Sequence, residues 1–212
     1  MTSRKSLLLI LPIFMLLSCD ESSDTIDLTD FRQDLVTCLH DADRLIFKRD
    51  DGMYLYPEEV LPATSFPEGQ RVVIGYSPDE TVGNHTEIEL VTSIGEIPYT
   101  TISQVSLIEA ALLPDEPLYL TTIWYSGGCI NLRYKIEFHD KAHSMAMISI
   151  DDKATADTLD VELRYNTHDD APGYYRSGYA SFRPEKPLPP TIRVTINTAN
   201  LDGKREFIFN TK

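Results

Sequence analysis

From residue 35 onward the chain alternates apolar and polar side chains in run after run. Leu132, Tyr134, Ile136 and Phe138 fall on one side of such a run, with Arg133, Lys135 and Glu137 on the other. Val161, Leu163 and Tyr165 alternate in the same way with Asp160, Glu162 and Arg164, as Ile192, Val194 and Ile196 do with Arg193 and Thr195. A period of two belongs to strands with one buried and one wet face, the habit of antiparallel sheets. Turn signals separate the runs: Asp51-Gly52, Gly127-Gly128 and Asp202-Gly203. Glycine there supplies the positive φ that tight hairpins require. The segment 102–113 reads instead as a short helix stopped by Pro114. The pattern predicts an all-β chain of two domains, at 35–100 and 117–212, joined by a linker at 101–116 that carries the helix.

The first residues follow another rule. Arg4 and Lys5 precede an apolar run at 7–17, too short for a membrane-spanning helix and interrupted by Pro12. The run ends Leu16-Leu17-Ser18-Cys19, which resembles a bacterial lipobox. Residues 1–18 are therefore expected to be a signal peptide, and Cys19 the acylated first residue of the mature form. More than one acyl chain anchors stably, where a single chain is marginal. The expected protein sits on a membrane through its acyl chains without crossing it. Residues 19–34 form the tether, opening Asp20-Glu21-Ser22-Ser23-Asp24. That acidic run both lifts a folded body off the bilayer and resembles the surface-display signal of some Bacteroidetes. The expected location is the outer membrane, at the cell surface or on the periplasmic face.

Charge narrows the partners. Residues 20–113 hold 19 acidic and 5 basic side chains, whereas 114–212 hold 14 and 12. The acidic first half repels phosphate backbones, so nucleic acid is not an expected partner. Cys38 and Cys129 lie 91 positions apart, in different expected domains, and read as two separate half-buried thiols rather than a disulfide. No Cys-x-x-Cys pair offers a structural zinc site.

Several clusters carry chemistry on paper. His139-Asp140-Lys141-Ala142-His143 joins two imidazoles and a carboxylate, a metal-ligating set that also suits the turn between two strands. Cys129 would need a histidine within hydrogen-bond reach to act as a nucleophile. Glu87 and Glu89 share one face of a strand, the wet one opposite Ile88 and Leu90. Asp24-Thr25-Ile26 and Asp157-Thr158-Leu159 resemble the O-glycosylation signal of exported Bacteroidetes proteins. Residues 172–179 read as an aromatic loop in which Tyr174, Tyr175, Arg176 and Tyr179 form a partner surface, since tyrosine and arginine favour interfaces and tyrosines stack on sugars. None of these makes a catalytic, cofactor or metal constellation, and the expectation is a non-enzymatic protein.

Six short motifs resemble the NigD-like lipoproteins of Bacteroidetes. They are Asp-Asp-Gly-Met-Tyr-Leu-Tyr-Pro at 50–57, Glu-Gly-Gln-Arg-Val-Val-Ile-Gly-Tyr at 68–76, Ile-Trp-Tyr-Ser-Gly-Gly-Cys-Ile-Asn-Leu at 123–132, Leu-Arg-Tyr-Asn at 163–166, Gly-Tyr-Ala-Ser-Phe at 178–182 and Asn-Leu-Asp-Gly-Lys at 200–204. The resemblance implies a small OB-like β-barrel at 35–100 followed by an antiparallel β-sandwich, and no catalytic residues. It also implies an interaction or bacteriocin-immunity role, with an unknown protein or glycan as partner. A carbohydrate- or peptide-binding surface module is the alternative. Asn166 and Cys129 depart from the family pattern, which has histidine and an aromatic residue there.

Overall fold

The computed structural model of the chain describes residues 30–90, 92–150, 157–185 and 187–211. The signal peptide, Cys19, the acidic run at 20–24 and Asp24-Thr25-Ile26 lie outside the described residues.

The first domain is a closed barrel. Its strands are β1 (Arg32–Asp41), β2 (Arg44–Lys48), β3 (Tyr54–Pro57), β4 (Arg71–Val82) and β5 (His85–Leu90). They run in the order β1-β2-β3-β5-β4, and β1 pairs again with β4 to complete the ring. The β3–β5 pairing is parallel and the others are antiparallel. This is the five-stranded Greek-key arrangement of an OB fold. Closure depends on β1, whose residues 37–41 pair with β2 while 32–37 pair with β4. The interior holds Val36 and Cys38 from β1, Leu45 and Phe47 from β2, and Val72, Ile74 and Tyr76 from β4. Each trio or pair keeps the two-residue period read from the sequence. A short strand, β6 (Gly95–Glu96), extends the sheet beside β4.

The second domain is a sandwich. β7 (Tyr99–Thr101), β13 (Tyr174–Arg183), β10 (Cys129–Phe138) and β9 (Tyr119–Ser126) form one sheet. β15 (Gly203–Asn210), β14 (Thr191–Thr198), β12 (Thr158–Asn166), β11 (Ser144–Ile150) and β8 (Ser103–Val105) form the other. Leu132, Tyr134 and Phe182 from the first sheet pack on Met147, Val161, Leu163, Ile192 and Val194 from the second. Most pairings are antiparallel; β7–β13, β8–β11 and β12–β14 are parallel, because the chain crosses to the other sheet before returning. Gly127 and Gly128 form the two-residue β9–β10 turn, with φ of 60° and 74°, the left-handed values of a hairpin twisted to match its strands.

Two expectations about secondary structure are corrected. The helix predicted over 102–113 is confined to α1 (Leu107–Leu112), preceded by β8. A capping box sets its start: Glu109 N–H donates to the Ser106 hydroxyl at 3.3 Å, and Ser106 N–H to the Glu109 carboxylate at 2.8 Å. Buried Ile102 sits between β7 and β8, where the chain changes sheet. The expected aromatic loop at 172–179 is strand from Tyr174 onward, paired with β10 along its length. Its tyrosines therefore divide between two faces rather than clustering at a tip.

Candidate functional site: the junction of barrel and sandwich

A polar cluster joins the two domains. Arg71, 1% exposed, begins β4 and points out of the barrel into a fork with Asp50, which follows β2. Its Nη1 also donates to Thr37 Oγ1 at 3.1 Å, and its Nη2 to Asn131 Oδ1 on β10 at 3.3 Å. Ser126 on β9 donates to Asp50 at 2.5 Å. Asn131 donates to the Ser126 hydroxyl and the Cys129 carbonyl, and accepts from Ser181 on β13 at 2.6 Å. Asn131 and Ser181 are fully buried. A Cβ at Gly127 would collide with the Asp50 carboxylate. The planar guanidinium suits this bidentate seat, where a lysine's single ammonium would not reach both oxygens and the amide.

Beside this joint the domains leave a groove in two adjoining stretches. One, of about 520 Å³, is lined by Asp34, Arg49, Asp50, Trp124 and Tyr179. The next, of about 620 Å³, enters the side of the sandwich between Arg176 and Gly178 of β13 and His143 and Met145, over Tyr134 and Ile136. Tyr179 belongs to both, and its hydroxyl reaches Gln33 of the barrel at 3.4 Å.

The four residues expected to form a partner surface fall here unequally. Tyr179 and Arg176 line the groove. Arg133 stacks over the Tyr179 ring at 5.6 Å, and Arg176 over Phe138 at 4.7 Å. Tyr174 and Tyr175 are exposed farther along β13, 60% and 69% accessible.

The other candidates are placed plainly. His139, Asp140 and Asp170 bring ligand atoms within 4.8 Å of one another. The Asp170 carboxylate is already engaged, accepting from the backbone N–H groups of His139, Asp140 and Lys141 and pairing with His143 at 3.2 Å. Burial alone would raise its pKa, but those donors outweigh it and hold the carboxyl well below the ordinary range. Asp170 thus fastens the 139–143 turn. Glu87 and Glu89 lie on the exposed face of β5.

The thiols correct the expectation of half-burial: Cys38 and Cys129 are both free and fully buried. Cys38 alternates into the barrel interior, whereas Cys129 shares the outward face of β10 with Asn131 and is buried at the joint; buried thiols behave as small apolar groups. Burial pushes the Cys129 thiol up, opposite to what a nucleophile requires.

The family model for the NigD-like C-terminal beta sandwich domain matches residues 101–209. The chain belongs to the NigD-like family. Among solved structures, a Bacteroides vulgatus protein of unknown function is 18% identical, over 86% of this chain and 91% of its own, with a TM-score of 0.72. A candidate lipoprotein of Bacteroides fragilis is 14% identical over 86% and 98%, with a TM-score of 0.66. A NigD-like immunity protein of Bacteroides caccae is 18% identical over 85% and 97%, with a TM-score of 0.64. At such identities the likeness is one of fold. No curated protein matches the chain. Four of the motifs that carry the NigD-like resemblance each supply the joint: 50–57 gives Asp50, 68–76 gives Arg71, 123–132 gives Ser126 and Asn131, and 178–182 gives Ser181.

Proposed function

We propose that this NigD-like chain is a non-enzymatic lipoprotein of the cell envelope that holds a protein partner in the groove between barrel and sandwich, as an immunity-type protein would. The observation that carries the reading is the groove itself: it is lined by two arginines, each held over an aromatic ring, and by Tyr179, with Tyr174 and Tyr175 exposed beyond. Arginine and tyrosine are the residues that anchor protein interfaces. The buried Asp50–Arg71–Asn131 joint supports it further, because a fixed domain angle gives a preorganised surface. No helix of the described residues is long and apolar enough to cross a membrane, and attachment is assigned to acyl chains on Cys19.

The test is a photo-crosslinking residue placed at Tyr179 in producing cells, against the same residue at Ile208 on the far edge of the sandwich. A discrete protein adduct at Tyr179 alone is expected; equal adducts at both positions, or none, refute the reading. A glycan array with the same chain checks the carbohydrate alternative. For the anchor, Cys19→Ser should lose metabolic labelling by an alkyne fatty acid, and equal labelling would refute it.

A further inference from the structure

The side of the sandwich that faces the groove is only half closed. β7 covers β13 at Ser181, Phe182 and Arg183, and β8 covers β11 at Ile148, Ser149 and Ile150. The rest of both edges, 174–180 on β13 and 144–147 on β11, has no neighbouring strand among the described residues. Pro98 marks where the cover stops. Its carbonyl accepts from Ser181 N–H at 2.9 Å, but proline has no N–H to return, so the ladder cannot continue along β13.

Ser181 N–H points to the β7 side, and in a strand this direction alternates with every residue. The N–H and C=O groups of Tyr175, Ser177 and Tyr179 therefore point the same way, onto the open edge. Among the described residues nothing donates to them or accepts from them.

The two edges on the opposite side of the sandwich differ. β9 is capped by Asn200, whose side chain bonds both Leu120 N–H and Leu120 C=O at 2.9 Å. β15 carries Lys204, Arg205 and Glu206 in succession, the charges that discourage strand pairing. The β13 edge has no such side-chain cap and a single charge, Arg176, drawn over the Phe138 ring, and it opens onto the apolar floor of Tyr134, Ile136, Phe138 and Met145.

We infer that the bare edge at 175–179 of β13 takes an extended segment of the partner as an additional strand, its backbone pairing with Tyr175, Ser177 and Tyr179. This deepens the protein-partner reading above and rests on it. Strand addition draws affinity from the main chain and specificity from alternate side chains. Here the alternate side chains face the apolar floor. Arg133 and Arg176 flank the line, and Glu96 is the one carboxylate among the described residues that line this stretch. The segment that fits is therefore one of alternating apolar residues with an acidic residue between them.

Hydrogen exchange on the free chain is the first test. The Tyr175, Ser177 and Tyr179 amides should exchange at least a hundredfold faster than those of Tyr174, Arg176 and Gly178, which face β10. Equal protection would mean that this chain's own residues, or a second copy of it, already cover the edge, and would overturn the inference. The second test pans a phage library of random ten-residue peptides on the whole chain. Enriched peptides should share the alternating acidic pattern, protect the three amides, and lose at least tenfold in affinity when N-methylated on edge-facing residues. Ser177→Pro, which removes an edge N–H, should lose binding, whereas Ser177→Ala should keep it. Peptides indifferent to N-methylation, or none enriched, overturn strand addition, whereas a crosslink at Tyr179 would then still leave the partner reading standing.

Discussion

In the barrel, β1 is long enough to pair with β2 through one half and β4 through the other, so the sheet closes on itself. In the sandwich, three-residue β7 and β8 close one side only partway, leaving backbone groups on β13 without partners among the described residues. Full closure removes edges, and an open edge invites another chain. On the proposed reading the two halves do different work: the barrel is a finished body, and the sandwich carries the side that takes a partner. The joint through Arg71 holds the finished body against that side, so that Gln33 meets Tyr179.

Breaking the joint should have the largest effect. Asp50→Ala leaves the Arg71 guanidinium buried with its main countercharge gone, and removing one partner of a buried pair costs about 3–5 kcal/mol. Urea unfolding should show that loss, with one transition separating into two as the barrel and the sandwich uncouple. A loss under about 1 kcal/mol, far below that range, would mean that the joint does not hold the domains together.

The adjacent glycines test the same contact more finely. Gly127→Ala meets both a left-handed backbone and the Asp50 carboxylate, and should cost about 1–3 kcal/mol. Gly128→Ala has the same kind of backbone but open space around it, so about 1 kcal/mol is expected. Equal thermal shifts for the two would show that the hairpin yields, rather than the Asp50 contact.

A smaller effect comes with alkaline pH. Burial, with the Glu68 charge adding to it, pushes the Cys38 thiol from 9.0 up to about 12. The folded barrel therefore keeps this proton after the unfolded chain has lost it. Stability from this group is fully present below pH 9 and falls as pH rises from 9 toward 12, by about 1.4 kcal/mol per unit. Burial and an accepting Asp34 likewise raise Tyr76, whose share begins above pH 10. Cys38→Ala should flatten the fall in urea midpoint between pH 9 and 10. An unchanged slope would place the titration elsewhere.

Alternation made the strands legible, because a half-buried strand writes its inside and outside into every second residue. Leu132, Tyr134 and Val161, Leu163, Tyr165 lie inward as their spacing requires. The joint was not legible for the same reason. Asn131 and Ser181 occupy outward positions that read as wet, and only the barrel resting on that face buries them. Arg71 is one more charged residue at the start of a strand until Asp50 and Asn131 arrive from elsewhere in the chain. The helix is shorter than its apolar run suggests, and the sign of its true start is the pair Ser106 and Glu109, three apart, the spacing of a capping box. The free edge of β13 is not legible in the sequence, because it depends on where β7 stops.

The smallest expected effect is none at all, and it tests whether OB topology implies OB chemistry. OB folds that hold single strands combine a positive groove with aromatic platforms. Strands β2 and β3 supply the binding face of such folds, and here Tyr54 and Tyr56 stand on β3. Both rings are already engaged: Tyr56 stacks on His85 at 3.7 Å, and Lys48 sits over Tyr54 at 5.5 Å. The cations are committed as well. Arg71 is held by Asp50, Arg49 pairs with Asp34 and Asp51, and Arg32 pairs with Asp30. That leaves Arg44 and Lys48 to meet phosphates on a strongly acidic domain, too few to release a useful number of counterions. Stacking at about 1–3 kcal/mol per base does not offset that repulsion and the ordering of the strand. Labelled single-stranded DNA at about 50 mM salt, where electrostatic binding is strong, should show no change in fluorescence anisotropy with added protein. Micromolar binding under that condition would break the contrast between barrel and sandwich, by giving the closed half a binding face of its own.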